Sequence, residues 1–331
     1  MLNSNSSNEH WLDPKERIEY YLNYQSFFDL NLDHLHDLLE KNQKLRSEFK
    51  VISYDDYKGS LINSYCRYIM PLPMIRELRA LPYYSKYRNL HSLIDFLRPF
   101  YNIPSEVVSF KFPIYYGEDR ETGTFPIIRK SRKADDKKSI LYDLRSLRYN
   151  TPCIEVNNSD HNWNLKKNDV VWRGATTGQE TREGFVKKYF DQYDIGFSNV
   201  KQKPHLSSYL KQKLSISQQL KYKFIVSLQG NDLASNIRWV LLSNSVPIMP
   251  KPLWVGWTME NKLVPNVHYL ELNNDLSNLE ELLDWAEIND KACQEIANNG
   301  KLYVSQFLDR QYDDKIRMLL LEEYASRVNI I

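Results

Sequence analysis

The residues best placed to do chemistry run from Lys223 to Trp239, KFIVSLQGNDLASNIRW. Phe224 to Leu228 reads as a buried strand that delivers Gly230 to a sheet edge, where a residue without Cβ lets backbone approach a ligand closely. Ser235 or Asn236 then caps a helix, and the unpaired N–H groups and aligned dipoles of a helix start attract a diphosphate. Arg238 falls in the first turn and offers a planar, two-pronged contact to phosphate oxygens. Asn231 and Asp232 follow the strand end. They either bind ribose or sugar hydroxyls or form an Asx turn leading into the helix. Spacing alone leaves a plain strand–glycine–helix junction open as well.

These residues need a sheet to hold them. VVWRG (170–174) reads as a short strand breaking into a glycine turn, 179–190 as a helix, DIGF (194–197) as a strand end and 214–220 as a helix. Beyond Gly230 come a helix over 235–243, strands VPIMP (246–250) and VHYLEL (267–272), and helices over 276–288 and 290–308. Alternating strands and helices predict a parallel, doubly wound sheet, which binds ligands beyond the carboxyl ends of its strands. Earlier in the chain, Asp13-Pro14-Lys15-Glu16 predicts a helix start, with an apolar stripe continuing to Phe28. A second helix is expected over 32–45, with His34 and His36 as surface residues, and a third near 90–97. Strand-like runs follow at 107–115 and 125–129 around a polar loop, 117–123, and the charged stretch 130–138 reads as a solvated loop. A last helix, 310–328, presents Ile316, Leu319, Leu320 and Tyr324 to a neighbour.

Composition narrows the function classes. Hydrophobic residues make up 42% and charged residues 26%, ordinary for a globular chain with real cores. Lys and Arg total 44 against 42 Asp and Glu, a net charge of +2 that argues against nucleic acid as the main partner. Cys66, Cys153 and Cys293 are far apart, with no CxxC or Cys/His pair. Reduced thiols in a reducing compartment, and no zinc, are expected. The polar N-terminal residues hold no apolar run of signal-peptide length, and no 18 consecutive apolar residues occur. These features predict a cytoplasmic protein; a membrane-bound substrate would be met peripherally, at the inner face. No GxGxxG follows a strand, which disfavours an NAD(P) enzyme.

Eight segments in order resemble the family-90 glycosyltransferases. They are PIIRKSR (126–132), VWRG (171–174), DIG (194–196), QLKYKF (219–224), QGNDLASNIRW (229–239), LSNSV (242–246), WTMENKLVP (257–265) and His268-Tyr269. The resemblance spans roughly 115–310, about 60% of the chain. It implies an α/β, GT-B-like fold of two Rossmann-like lobes facing a cleft, with extra N-terminal helices. The expected division is a helical extension over 1–50, an acceptor-side lobe over 51–165 and a nucleotide-sugar-binding lobe over 166–309, with 310–331 packing back on the acceptor side. The implied activity is an inverting, metal-independent transfer of a glucose- or xylose-like sugar from a UDP-sugar, with no cofactor, to a lipopolysaccharide, capsule or other glycan or glycolipid acceptor.

By the same resemblance Arg173, Ser235 and Arg238 hold the donor diphosphate, with Asn236 as the alternative to Ser235; Gly174, Lys223, Gly230, Asn231, Asp232 and Glu260 are the further candidates at the donor, Glu260 for its hydroxyls. An inverting transfer needs a base for the acceptor hydroxyl. In O-glucosyltransferase relatives it is the Asp directly after a strand-ending arginine; that arginine resembles Arg132, but Lys133 follows it. Asp119 and Asp135 are the candidates in its place, with Asp136 beside the latter. The missing Asp also favours an alternative, a catalytically impaired glycan- or nucleotide-binding relative.

Overall fold

Asp13 opens the first helix, α1 (Pro14–Tyr21): its carboxylate accepts from the amides of Lys15 and Glu16 at 2.8 and 3.3 Å. The helix stops at Tyr21, well short of Phe28, because Asn23 and Tyr24 take left-handed backbone conformations with φ of 59° and 56°. Asn23 secures the turn by donating to the Ser139 carbonyl at 2.8 Å. The computed structural model describes residues 12–26, 28–30, 49–52, 112–115, 126–144, 146–178 and 181–330. The helices expected over 32–45 and 90–97, the loop 117–123, His34, His36 and Cys66 lie outside the described residues.

Six strands follow: β1 (Phe28–Leu30), β2 (Phe49–Ile52), β3 (Phe112–Tyr115), β4 (Ile128–Arg129), β5 (Ser131–Lys133) and β6 (Ile140–Leu141). A four-stranded sheet takes the order β2-β3-β4-β6, antiparallel at β2–β3 and parallel from β3 onward. The stretch 130–138 is not the solvated loop its charge predicts, since Lys130, Ser131, Arg132 and Asp136 are all buried. Arg132 donates to the carbonyls of Tyr20, Tyr21 and Ser139 at 2.6–3.0 Å, tying the end of α1 to β5. Charge in a sequence is a sign of exposure only when no partner waits inside.

From α2 (Ser146–Ser159) the chain settles into strand and helix: β7 (Lys167–Ala175), α3 (Thr181–Tyr189), β8 (Asp194–Asn199), α4 (Ile216–Gln219), β9 (Tyr222–Val226), α5 (Ile237–Leu242), β10 (Val246–Pro250), β11 (Trp254–Gly256) and β12 (Leu270–Leu272). The chain closes with α6 (Leu279–Ile288), α7 (Asp290–Ser305), α8 (Arg310–Arg327) and β13 (Val328–Ile330), which pairs in parallel with β1. Five strands form one parallel sheet in the order β8-β7-β9-β10-β12. The sheet is doubly wound and reverses between β7 and β9. Period-two alternation sorts its side chains. Val170, Trp172, Phe224 and Val226 pack on one face with residues of α3, α6 and α7, while Val171 and Ile225 pack on the other with α2 and α5.

A further core gathers α1, β3, β4, β6 and α8, with Ile316, Leu320 and Tyr324 of the last helix buried in it. β11 pairs antiparallel with β5, so Val255, Trp257 and Met259 join this core although the chain around them belongs with the parallel sheet. The architecture is therefore mixed α/β with a Rossmann-like parallel sheet. Among the described residues no helix is long and apolar enough to cross a membrane.

Candidate functional site

Where a doubly wound sheet reverses, the loops leaving two neighbouring strands depart to opposite faces and open a crevice at their carboxyl ends. Here the strands are β7 and β9. After β7 the loop Thr176-Thr177-Gly178 takes a φ of 90° at Gly178. A Cβ at Gly178 would stand 2.5 Å from the Gly230 carbonyl, so the two glycines meet backbone to backbone. Arg182, in the first turn of α3, reaches back into this junction. Its Nη1 donates to the Ala175 carbonyl at 3.1 Å and to Thr177 Oγ1 at 3.0 Å, and its Nη2 donates to the Leu228 carbonyl at 2.5 Å.

Among the described residues no carboxylate pairs with Arg182, and its Nε is buried without a partner. Desolvation alone pushes its pKa down to about 10. A desolvated guanidinium held only by carbonyls and a hydroxyl gains most from an arriving anion. The Thr176 hydroxyl, in the same loop, is likewise buried and unpartnered. Arg182 is absent from the expected site residues. Its signal in the sequence was an arginine just inside a helix that follows a strand and a glycine turn, GATTGQETR.

Several expected residues do sit at this edge. A Cβ on Gly230 would lie 3.1 Å from both Arg182 Nη2 and Thr177 Oγ1. Asn231 follows, half-buried, and Ser235 is exposed. Asn236 donates to the Val226 carbonyl at 2.9 Å and accepts from Ser227 Oγ at 2.9 Å. Its side chain locks the exit of β9 and makes no cap bond to α5. Asp232 is buried, ion-paired with Lys130 and accepting from Ser131 Oγ at 3.2 Å. It ties the β9–α5 loop to the β4–β5 segment.

Other expected donor residues are committed elsewhere. Arg173 bonds the Asp194 carboxylate at 2.5 Å and the carbonyls of Gln212, Trp172 and Asp194, clamping β7 to β8. Gly174 is required by Trp172, whose ring would lie 2.4 Å from an added Cβ. Lys223 sits near the amino end of β9, paired with Asp290 at 2.5 Å and over the Trp163 ring at 4.8 Å. Glu260 is buried, accepting from the Gly256 amide at 2.6 Å and from Thr258 Oγ1, and so braces the turn after β11.

Arg238 is only 3% exposed. Its Nη1 donates to Asn150 Oδ1 at 2.5 Å, and its Nη2 lies 3.5 Å from Asp143. Burial works to lower its pKa, but Asp143, Cys153, Glu260 and Tyr149 together outweigh it and the net shift is upward. The other Asp143 oxygen accepts from Arg317 at 2.6 Å. Arg317 pairs in turn with Asp313 at 3.0 Å, and Asp313 with Arg17 at 3.0 Å and with Trp257 Nε1 at 2.6 Å. Three guanidiniums and two carboxylates thus thread the interior from α1 to α5.

Of the candidate bases, Asp119 lies outside the described residues. Asp135 is exposed in the turn after β5. Asp136 is buried, its carboxylate taken by the amides of Lys138 and Ser139 and the Ser139 hydroxyl at 2.6–2.9 Å. No three His, Cys, Asp or Glu side chains converge as a metal-binding group among the described residues.

Comparison with known proteins places this geometry in a family. A profile described as glycosyl transferase family 90 matches residues 141–330, which include the parallel sheet, both sides of the crevice and α8. The chain is 30% identical to the O-glucosyltransferase LpsA of Dichelobacter nodosus over 223 residues, covering 65% of this chain and 67% of that protein. It is 32% identical to the uncharacterized protein 035R of invertebrate iridescent virus 3 over 46% of this chain and 16% of that one. It is also 31% identical to the protein O-glucosyltransferase 1 of Mus musculus over 28% of this chain and 22% of that one. The chain therefore spans two-thirds of the first relative and less than a quarter of the other two. With more than half its length inside the profile, the chain belongs to glycosyl transferase family 90.

Proposed function

We propose that the chain is an inverting glycosyltransferase. It moves a glucose- or xylose-like sugar from a UDP-sugar to a hydroxyl of a lipopolysaccharide, capsule or similar glycan or glycolipid, without a metal. Glycosyl transfer rests on the family, and a glucose-like sugar passed to a hydroxyl rests on the names of its O-glucosyltransferase relatives; the UDP donor and the lipopolysaccharide or capsule acceptor rest on the resemblance of the sequence motifs. One observation carries the donor reading: the half-buried Arg182 guanidinium at the reversal of the sheet, its Nε buried without a partner and no carboxylate paired with it among the described residues. Two buried, thiol-bearing cysteines, Cys153 and Cys293, support a cytoplasmic setting.

In this reading the diphosphate lies over the exits of β7 and β9, against Arg182, the Thr176 hydroxyl, Gly178, Gly230, Asn231 and Ser235. The acceptor oxygen attacks the anomeric carbon from the face opposite the diphosphate. The carbon–oxygen bond to phosphate breaks, and its electron pair leaves on the diphosphate. Fixed positive charge there stabilises the leaving group more in the transition state than in the bound donor. A carboxylate, Asp119 or Asp135, takes the acceptor proton. Arg238 becomes a direct phosphate ligand only by giving up Asp143; otherwise it holds α5 in place.

The test is a titration of the purified chain with UDP and UDP-glucose by thermal shift and calorimetry, followed by a transfer assay. Stabilisation by UDP that Arg182→Ala removes is the expected result. No response to any nucleoside diphosphate at about 100 times an ordinary Kd, where about 2.7 kcal/mol of stabilisation is due, overturns the donor reading. Lys133 in place of the usual Asp favours a second reading, a relative that binds donor without transferring it; donor binding with neither transfer nor hydrolysis is its signature.

A further inference from the structure

The cleft of greatest interest outside the crevice lies at the opposite edge of the parallel sheet. It encloses about 310 Å³ and is lined by Asn162, Trp163, Asn164, Asn244, Gln294 and Asn298. The first three precede β7, Asn244 precedes β10, and Gln294 and Asn298 share one face of α7. Loops that precede parallel strands all gather at the amino edge, so the strands themselves separate this cleft from the Arg182 crevice. A five-residue strand such as β9 spans about 17 Å at about 3.3 Å per residue.

The lining is chemically uniform. Five of the side chains are carboxamides, each carrying both N–H donors and a carbonyl acceptor; those of Asn244 engage His161 and Lys301, leaving Asn162, Asn164, Gln294 and Asn298 to a ligand, and no charged side chain lines the cleft. Two nearby charge pairs are neutralised inside the protein, while Lys301 donates to Asn244 Oδ1 at 3.3 Å from outside the lining. Asp160 pairs with Lys166 at 2.5 Å and Asp290 pairs with Lys223 at 2.5 Å. The floor is rigid: Trp163 is buried with its Nε1 bonded to Asp290 at 3.0 Å. Asn244 donates to the His161 carbonyl at 3.0 Å while its amide N–H bonds Asp160 at 2.6 Å. Asn162, Asn164, Gln294 and Asn298 are exposed and point their amide chemistry at solvent from fixed backbone.

A cleft that supplies paired donors and acceptors without net charge suits a ligand whose groups are themselves both donor and acceptor, which is the hydroxyl pattern of a sugar. None of the lining side chains is a cation, and Lys301 beside them is turned to Asn244 Oδ1, so phosphates and acidic chains meet little positive charge there. We infer that the cleft formed by Asn162, Asn164, Gln294 and Asn298 is a second binding site, for a neutral oligosaccharide, on the face of the sheet edge away from the donor crevice. This inference rests on the lining alone and is independent of the donor reading.

The experiment is an NMR titration of the isotope-labelled full chain with maltotriose, cellotriose and chitotriose, and with trigalacturonic acid as the anionic control. At least one neutral trisaccharide is expected to shift the side-chain amide signals of Asn162, Gln294 and Asn298 saturably. Asn298→Ala and Gln294→Ala, both surface changes, should each weaken that binding by about tenfold. Arg182→Ala should leave it unchanged while weakening UDP binding, so that failure of one site is distinguishable from failure of the other. The inference is overturned if no neutral trisaccharide gives a saturable shift, if the shifts map to the carboxyl edge, if the two alanine variants bind like the parent, or if trigalacturonic acid binds equally well.

Discussion

Arg182 on α3 donates to the carbonyl of Leu228 at 2.5 Å, joining the exits of β7 and β9 across the point where the parallel sheet reverses. One contact therefore does two things. It fixes the width of the crevice, and it lodges a positive charge in its wall. The fork is not used up, because Nε remains unpartnered while both Nη atoms hold the loops. An anion can be added without displacing the bonds that place the guanidinium.

Replacing Arg182 should accordingly weaken donor binding more than it weakens the fold. A hydrogen bond to a charged group is worth about 1.5–3 kcal/mol, or roughly 10- to 100-fold in affinity. Arg182→Ala is expected to raise the Kd for UDP by that factor in calorimetry. Arg182→Lys, which keeps the charge and loses the planar fork, should fall between. Parent-like UDP affinity in Arg182→Ala would remove the site from this edge.

The contact of Gly178 with Gly230 leaves no room for a side chain. Gly178→Ala brings a Cβ to 2.5 Å from backbone at a φ of 90°. Backbone does not yield as a flexible side chain does, and the conformation itself costs about 1–3 kcal/mol in a residue other than glycine. Urea unfolding should show a loss of at least that size, with reduced UDP affinity because the crevice is forced open. Gly184, whose added Cβ would meet nothing within 4 Å, is the control. Gly184→Ala should be neutral or slightly stabilising, being helical and open.

How far the sequence foretold all this depends on the range of the interactions involved. β7, β9, β10 and the final helix were legible because their apolar periods are local properties of VVW, FIV, VPI and the Ile316–Leu320 stripe. Gly230 was legible as a strand exit for the same reason. The fates of Arg173, Lys223 and Arg238 were not. Each is decided by a carboxylate distant in sequence, Asp194, Asp290 or Asp143, that nothing local announces. Lys130 and Arg132 looked solvated for want of the same knowledge, and are buried because Asp232 and three carbonyls receive them. Arg182 was overlooked because a helical arginine reads as surface until the sheet reversal beside it is known.

The interior chain of Arg17, Asp313, Arg317, Asp143 and Arg238 makes a sharper stability prediction. Asp143 faces two guanidiniums, at 2.6 and 3.5 Å, as Asp313 faces Arg17 and Arg317. Removing one partner of a buried ion pair leaves an uncompensated charge and costs about 3–5 kcal/mol. Asp143→Ala should therefore lower stability by that amount or prevent folding, as read by urea unfolding or soluble yield. Asp135→Ala, at an exposed turn position, should cost little. A mild effect of Asp143→Ala would mean that water already reaches the network.

Acid should erode stability through two further carboxylates. Burial acts to raise Asp136 and Asp194, but hydrogen bonds from Ser139 and Lys138 to the first, and from Arg173 and Tyr222 to the second, prevail and hold both below the ordinary value. The unfolded chain, with Asp near about 3.9, then takes up protons first as pH falls. Their contribution is fully present above about pH 4 and is lost as pH drops through the depressed folded values. Urea midpoints at pH 6 and pH 3 should show Asp136→Asn less stable than the parent at pH 6, with the gap narrowing at pH 3. A gap that does not change with pH would mean that Asp136 titrates normally.

The proton-accepting carboxylate can be found by separating chemistry from binding. Asp135 stands on an exposed turn and Asp136, beside it, is consumed by three hydrogen bonds that fix that turn. An aspartate whose oxygens are already filled accepts a further proton poorly, which leaves Asp135 and Asp119 as the pair to compare. General-base catalysis contributes about 10²–10⁴-fold. Asp119→Asn or Asp135→Asn should lower kcat by that factor with the Kd for UDP unchanged, as a group acting only on the acceptor proton requires; the other should leave kcat within about twofold. Asn keeps the size of the side chain and removes only its basicity, so a lost kcat at unchanged melting temperature reports chemistry and not folding. Should both variants transfer sugar at the parental rate, the base lies elsewhere; should the parent transfer none while still binding UDP, the lysine after Arg132 marks a chain that has kept the donor site and lost the reaction.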